Sequence, residues 1–347
     1  MKTLHPGYFA LVMATGILST GLDSLGHSAV SRVLFVIALV AFVVLCVLTI
    51  GRIVRYPRAI VADLYHPARA FGFFTFVAAS NVLGARLVLA HHTAAAYWLL
   101  GAGLIAWIGL GYTVPWTAML GRSERPVLQH ANGTWFIWVV ASESVAVLAA
   151  LLEHAASEHR RELAVIAVMS WAIGIFLYGA AGIFVSARLL LYPIEPEDLT
   201  PPYWVAMGAT AITVVAGARI VEMADAPMVA ATRGLAAGLS VLFWAFGTWL
   251  IPMLLGAGYW RHVRCRVPVR YEPPMWSIVF PLGMYGVGGR YLGEADHLPI
   301  VRAIGSGEIY LALAVWAVTF LGMLASWMRP KGPADGPFGQ RVRDSRP

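Results

Sequence analysis

Glu143 is the costliest residue in the chain by its surroundings. It is the one charge in the apolar stretch 131–152, and an ionised side chain at the centre of a bilayer costs about 3 kcal/mol on insertion scales. Such a carboxyl needs a cavity, a proton or a partner. Ionised in a lumen it repels anions. Protonated, it donates a hydrogen bond or couples another process to protons, and paired with an arginine or hydroxyl it is structural. Thr15, Asn81, Ser142 and Thr210 stand in comparable apolar stretches. Their hydroxyl and amide groups can replace part of an ion's hydration or bond one helix to another. Arg86, Arg219 and Arg290 close three of those stretches. They suit a basic vestibule, or they snorkel to headgroups and pair with Glu222, Glu294 and Asp296. Phe280 directly precedes Pro281, whose missing N–H leaves the Ser277 carbonyl unbonded and kinks a helix there.

Other chemistry is not indicated. His5, His66, His91, His92, His130 and His154 have no metal-ligand spacing, and no HExxH, paired acid and base, phosphate loop or serine nucleophile elbow occurs. Two cysteines, Cys46 and Cys265, cannot build a disulfide framework or a thiolate metal site. The reading is therefore not an enzyme, with no cofactor and no metal.

These residues sit in a composition that requires a membrane. Of 347 residues, 59% are hydrophobic and 12% charged, where soluble chains run near a quarter charged; the mean hydropathy is +0.71. That excludes a soluble domain, a secreted disulfide scaffold and a disordered regulator. The net charge of +7 records loop bias in a membrane protein and does not point to nucleic acid.

Ten apolar stretches are long enough to cross: 6–22, 31–54, 69–90, 94–120, 131–152, 163–190, 201–220, 230–257, 273–292 and 301–328. They are continuous and lack dyad alternation, so strands are excluded. Residues 1–328 form the membrane domain, and 329–347 read as a short disordered tail. The first stretch lacks a convincing cleavage site and reads as a retained helix. Of the 25 Lys and Arg, 17 fall on the side of the termini, which puts both termini in the cytoplasm.

The odd-numbered stretches repeat one another. They read FALVMATGILSTG from Phe9, FTFVAASNVLGAR from Phe74, FIWVVASESVAVL from Phe136, WVAMGATAITVVAGAR from Trp204 and WSIVFPLGMYGVGGR from Trp276. An aromatic stands six positions before Thr15, Ser80, Ser142, Thr210 and Leu282 in turn, and these anchors are 65, 62, 68 and 72 residues apart. That period is one helical hairpin. Every odd helix must then cross in one direction, and five like-directed hairpins can close into a ring with small residues inside. Arg86, Arg219 and Arg290, which fall 6, 9 and 8 residues after their anchors, should lie near one depth at the external mouth. A basic mouth raises local anion concentration over a Debye length of about 8 Å.

HPGYFALVMATGILS, NGTWFIWVVASESVAVL, FWAFGTWLIPMLL and MWSIVFPLGMY, in this order on separate spans, resemble the tellurite-resistance/dicarboxylate transporter family. The likeness runs from Leu4 to Trp327 and takes in TehA-like proteins, fungal malate and sulfite transporters and plant slow anion channels. It implies an all-α polytopic membrane protein in which ten transmembrane helices form five hairpins around a pseudo-fivefold central pore, as a homotrimer in the bacterial plasma membrane. It also implies that Phe280, kinked by Pro281, is a gate that blocks the pore by sterics and dewetting. Thr15, Asn81, Ser142, Glu143 and Thr210 are the expected pore-lining groups. The expected function is a channel or facilitator for small anions of the chloride, nitrate, sulfite or dicarboxylate class. The alternative is a proton-coupled carrier or exporter of a C4-dicarboxylate, sulfite or a tellurite-related oxyanion.

Overall fold

The repeated aromatic marks where each inner helix begins. Phe74, Phe136 and Trp276 are the first residues of their helices, and Phe9 and Trp204 immediately precede theirs. Ahead of each lies a short 3-10 turn rich in proline or glycine: Pro6–Phe9, Phe71–Phe73, Gly133–Trp135, Pro201–Trp204 and Pro273–Met275. Proline at the start of a turn gives up an N–H that has no helical partner anyway.

A computed structural model describes residues 1–120, 126–156, 158–224, 226–295 and 297–328. The expected tail 329–347, Arg122, Arg125 and Asp296 therefore lie outside the described residues. Among the described residues there are twelve α-helices and no strand: α1 Ala10–Ser24, α2 Ser28–Arg55, α3 Pro57–Tyr65, α4 Pro67–Ala70, α5 Phe74–Leu89, α6 Thr93–Leu120, α7 Phe136–Ala155, α8 Arg160–Leu191, α9 Val205–Val221, α10 Pro227–Tyr259, α11 Trp276–Ala295 and α12 Pro299–Met328. Helices α3 and α4 are short connectors. The other ten pair as the hairpins α1–α2, α5–α6, α7–α8, α9–α10 and α11–α12.

Two populations of helix result. α1, α5, α7, α9 and α11 have 15, 16, 20, 17 and 20 residues and are buried along most of their length. α2, α6, α8, α10 and α12 have 28, 28, 32, 33 and 30 residues, and they turn Val, Leu, Phe and Trp side chains such as Trp98, Phe176 and Leu190 outward. Such an apolar belt belongs in lipid.

Among the described residues eight helical spans are long and apolar enough to cross a membrane; α1 and α11 are not among them. Both are packed inside the others, where helix length need not match the hydrocarbon thickness. The inner helices close a ring: α1 meets α5, α5 meets α7, α7 meets α9, α9 meets α11, and α11 returns to α1. Each outer helix lies against its own inner helix and the next one round.

Lipid offers no hydrophobic drive for helices to associate, so close packing must hold the ring. The tightest seam joins α11 to α12. A Cβ on Gly305 would sit 2.6 Å from the Gly286 carbonyl oxygen, so these two backbones touch where no other residue fits.

A candidate permeation lumen inside the ring

One face of every inner helix converges on a common narrow cavity. The wall is formed by residues two, five and nine positions after the repeat anchors. They are Ile17 and Thr20 on α1; Val82, Ala85 and Leu89 on α5; Ser144, Val147 and Leu151 on α7; Ile212, Val215 and Arg219 on α9; and Met284, Val287 and Tyr291 on α11. Spacings of three and four residues keep side chains on one helical face. Because the five repeats share a register, the same face points inward five times.

The cavity wall is largely apolar, with Asn81 from the preceding position completing it. Asn81 donates through Nδ2 to the Ser144 hydroxyl (3.0 Å), and that hydroxyl donates to the Ala141 carbonyl (2.7 Å). The Asn81 Oδ1 is buried with no hydrogen-bond partner. Arg219 is the one charged side chain on the wall. Its guanidinium lies 4.0 Å from the Tyr291 ring centroid and donates to Glu222 at 2.7 Å.

One turn before Met284 on the same face of α11 comes Phe280, 1% exposed and among the largest fully buried side chains. The residues at the same repeat level are Met13, Ala78, Val140 and Gly208, all buried. Phe280 is the bulkiest of the five. Pro281 packs against Gly208, where a Cβ would lie 2.7 Å from its ring.

The other groups expected along the lumen turn elsewhere. Thr15 donates to the Leu11 carbonyl and accepts from the Trp316 indole of α12 at 2.9 Å. Ser142 donates to the Ser170 carbonyl of α8 at 2.8 Å. Thr210 donates to the Met207 carbonyl and faces Gly247 of α10. Glu143 is fully buried where α7 meets α8 and α9. Its Oε1 accepts from Thr213 at 3.1 Å and is accommodated by Gly174, while Oε2 has no partner. The reason is angular. A step of two residues turns a helix by about 200°, so an anchor residue points almost opposite to the lumen face, toward the outer helices. Asn81 reaches the cavity from one position off that face; Glu143, at the same offset, does not line it.

The same angular logic separates the arginines. Arg219 falls on the lumen face. Arg86 turns to the α1–α2 hairpin, donating to Ser19 (3.1 Å), Ser31 (3.1 Å) and Asp23 (3.2 Å). Arg290 turns to α12 and the end of α1, donating to Ser306 (3.2 Å), the Ser24 carbonyl (3.1 Å) and Glu294 (2.8 Å). Ser144, Met284 and Tyr291 join the wall without any local mark of chemistry. The three-and-four spacing shared by all five repeats is their signal, although nothing local gives its phase.

At the opposite end of the ring, the five 3-10 turns touch one another in a closed circle. Asp63 is clamped there between Arg52 (2.6 Å) and Arg69 (3.0 Å). His5 caps the first turn, accepting from the Gly7 N–H at 3.0 Å. Burial, reinforced by the charge of Arg69, lowers its pKa to about 4. Among the described residues no group of three His, Cys, Asp or Glu could hold a metal ion.

An uncharacterized membrane protein of Mycobacterium tuberculosis is 68% identical over 149 residues, 43% of this chain and 76% of its own. An uncharacterized transporter of Methanocaldococcus jannaschii is 28% identical over 332 residues, 92% of this chain and 94% of its own. A sulfite efflux pump of Arthroderma otae is 22% identical over 352 residues, 92% of this chain and 90% of its own. The model of the voltage-dependent anion channel (SLAC1) family matches residues 3–324. With helices throughout and nearly its whole length inside that match, the chain belongs to the voltage-dependent anion channel family.

Proposed function

We propose that this protein is an anion channel or facilitator whose path is the lumen of the inner ring and whose gate is Phe280. The observation that carries the reading is the fivefold convergence of one helix face on a cavity whose only charge is Arg219, with Phe280 one turn deeper on the same face. An anion entering from the arginine end meets a cation, then neutral Asn81 and Ser144, then an aromatic plug. No carboxylate stands on the wall. A passive path needs little else: a favourable mouth, a narrow neck and a constriction that excludes water.

In this reading the cavity opens to the outside of a bacterial plasma membrane and both termini lie in the cytoplasm, following the excess of Arg and Lys on that side. The assembly is a homotrimer. The substrates are small anions. Anion flux into proteoliposomes tests the gate: Phe280→Ala raises it in this reading, and unchanged flux overturns the gate assignment.

A second reading, a carrier or exporter of sulfite or a related anion, draws on two observations. The fungal relatives are named sulfite efflux pumps, and Glu143 holds a buried carboxyl oxygen with no partner. Unitary currents without counterflow favour the channel; saturable exchange that Glu143→Gln alters favours the carrier.

A further inference from the structure

The single charge on the lumen wall is already engaged, and what engages it is an anion. Arg219 donates through Nη1 to Oε2 of Glu222 at 2.7 Å. Glu222 lies three residues on, where α9 ends, with its side chain 48% exposed against 19% for Arg219. The guanidinium rests on the ring of Tyr291 from α11, so the cation bridges two walls of the lumen at its open end. Its Nε is buried and has no hydrogen-bond partner.

The three arginines that the inner helices carry near this end differ in how they are held. Arg86 and Arg290 are each tied by three hydrogen bonds that include serine hydroxyls or a backbone carbonyl. Arg219 is held by Glu222 and Tyr291 alone. An ion pair with a half-exposed carboxylate contributes little, so Glu222 can leave while the Tyr291 ring keeps the guanidinium in place. The Glu222 carboxylate takes one guanidinium N–H through a charged oxygen. Nitrate and bisulfite offer charged oxygens of the same kind, nitrate in the same planar arrangement.

We infer that Arg219 and Tyr291 form an anion-docking site at the open end of the lumen, and that Glu222 fills it as an internal competitor. A permeating anion displaces the Glu222 carboxylate from Arg219, and the freed carboxylate swings into solvent. Glu222 thereby sets how much anion is needed outside before the lumen loads. This rests on the reading of the lumen as the anion path, but the docking itself is measurable without transport.

The test is nitrate binding to the purified full-length protein in detergent, read as nitrate-dependent thermal stabilisation at constant ionic strength against gluconate. Glu222→Gln should bind nitrate about fivefold more tightly than the native protein, the gain expected when an exposed ion pair stops competing. Glu222→Ala should do the same, which guards against an effect peculiar to the amide. Arg219→Gln should lose the nitrate response, and Arg219→Lys should keep part of it. In the double variant the Arg219→Gln loss should persist. Native affinity in both Glu222 variants overturns the competitor, and a full nitrate response in Arg219→Gln overturns the site. If binding behaves as stated while Phe280→Ala proteoliposomes pass no nitrate, the docking site stands and the channel reading falls.

Discussion

The two ends of the inner ring are made by the same five repeats, yet at one end backbone packs on backbone and at the other side chains surround a cavity. At the 3-10 end, turns abut turns. A Cβ on Gly133 would collide with the Pro202 carbonyl and the Tyr203 nitrogen, and one on Gly72 would lie 3.1 Å from the Gly7 nitrogen. At the other end, branched apolar side chains and one stacked arginine surround a narrow cavity. Between them lies a level where four residues are modest and the fifth is Phe280. The difference teaches that a repeat fixes the direction and register of the helices, while the free bore at each level follows from side-chain volume. A single position can therefore narrow the ring's interior without disturbing the ring itself.

If that is right, perturbations at the two ends should separate into effects on flux and effects on stability. The largest expected effect is at the dividing level. Phe280→Ala should raise anion flux by about tenfold or more, as removal of a hydrophobic constriction does, and Phe280→Leu should fall between it and the native protein. Next, Arg86→Gln should destabilise the protein by about 2 kcal/mol, because it leaves the buried hydroxyls of Ser19 and Ser31 and the partly exposed Asp23 without their donor. Nitrate affinity should change little. Thermal denaturation beside nitrate titration checks both. Similar losses of nitrate affinity in Arg86→Gln and Arg219→Gln would erase the distinction drawn between them.

At the 3-10 end, Gly133→Ala should lower stability by about 2 kcal/mol through overpacking, with nitrate binding at the far end unchanged. The smallest effect concerns His5. Its folded pKa of about 4 lies below the ordinary 6.5, so the unfolded chain takes up the proton first as pH falls. Stability is fully present above pH 6.5, declines toward pH 4 and levels off below it. His5→Asn, which keeps a side-chain acceptor for the Gly7 N–H, should remove that slope in thermal denaturation measured against pH.

Much of the architecture was legible because it is written locally. The length of each apolar stretch, the aromatic before each inner helix and the constant hairpin period are properties of short segments, and a helix needs only its own backbone to satisfy its polar groups in lipid. Those features predicted like-directed hairpins and allowed a closed ring. The family resemblance read from the motifs agrees with the match over residues 3–324. The site was legible in part. Asn81 and Arg219 stand on the cavity wall, whereas Thr15, Ser142 and Thr210 bond to backbone carbonyls and Glu143 to Thr213 of the neighbouring inner helix.

By itself, then, the sequence determined a helical membrane protein of repeated hairpins, the level of each residue along its helix, and which few residues carry charge. Only the tertiary structure decided the rotation of each helix about its own axis. That rotation is set by partners far away in the chain: Trp316 holding Thr15 across 301 residues, Arg290 reaching Ser24 across 266, Glu143 meeting Thr213 across 70. A rotation of one residue, about 100°, changes whether an arginine faces the lumen or the neighbouring hairpin. No local pattern carries that angle, because packing between distant segments fixes it.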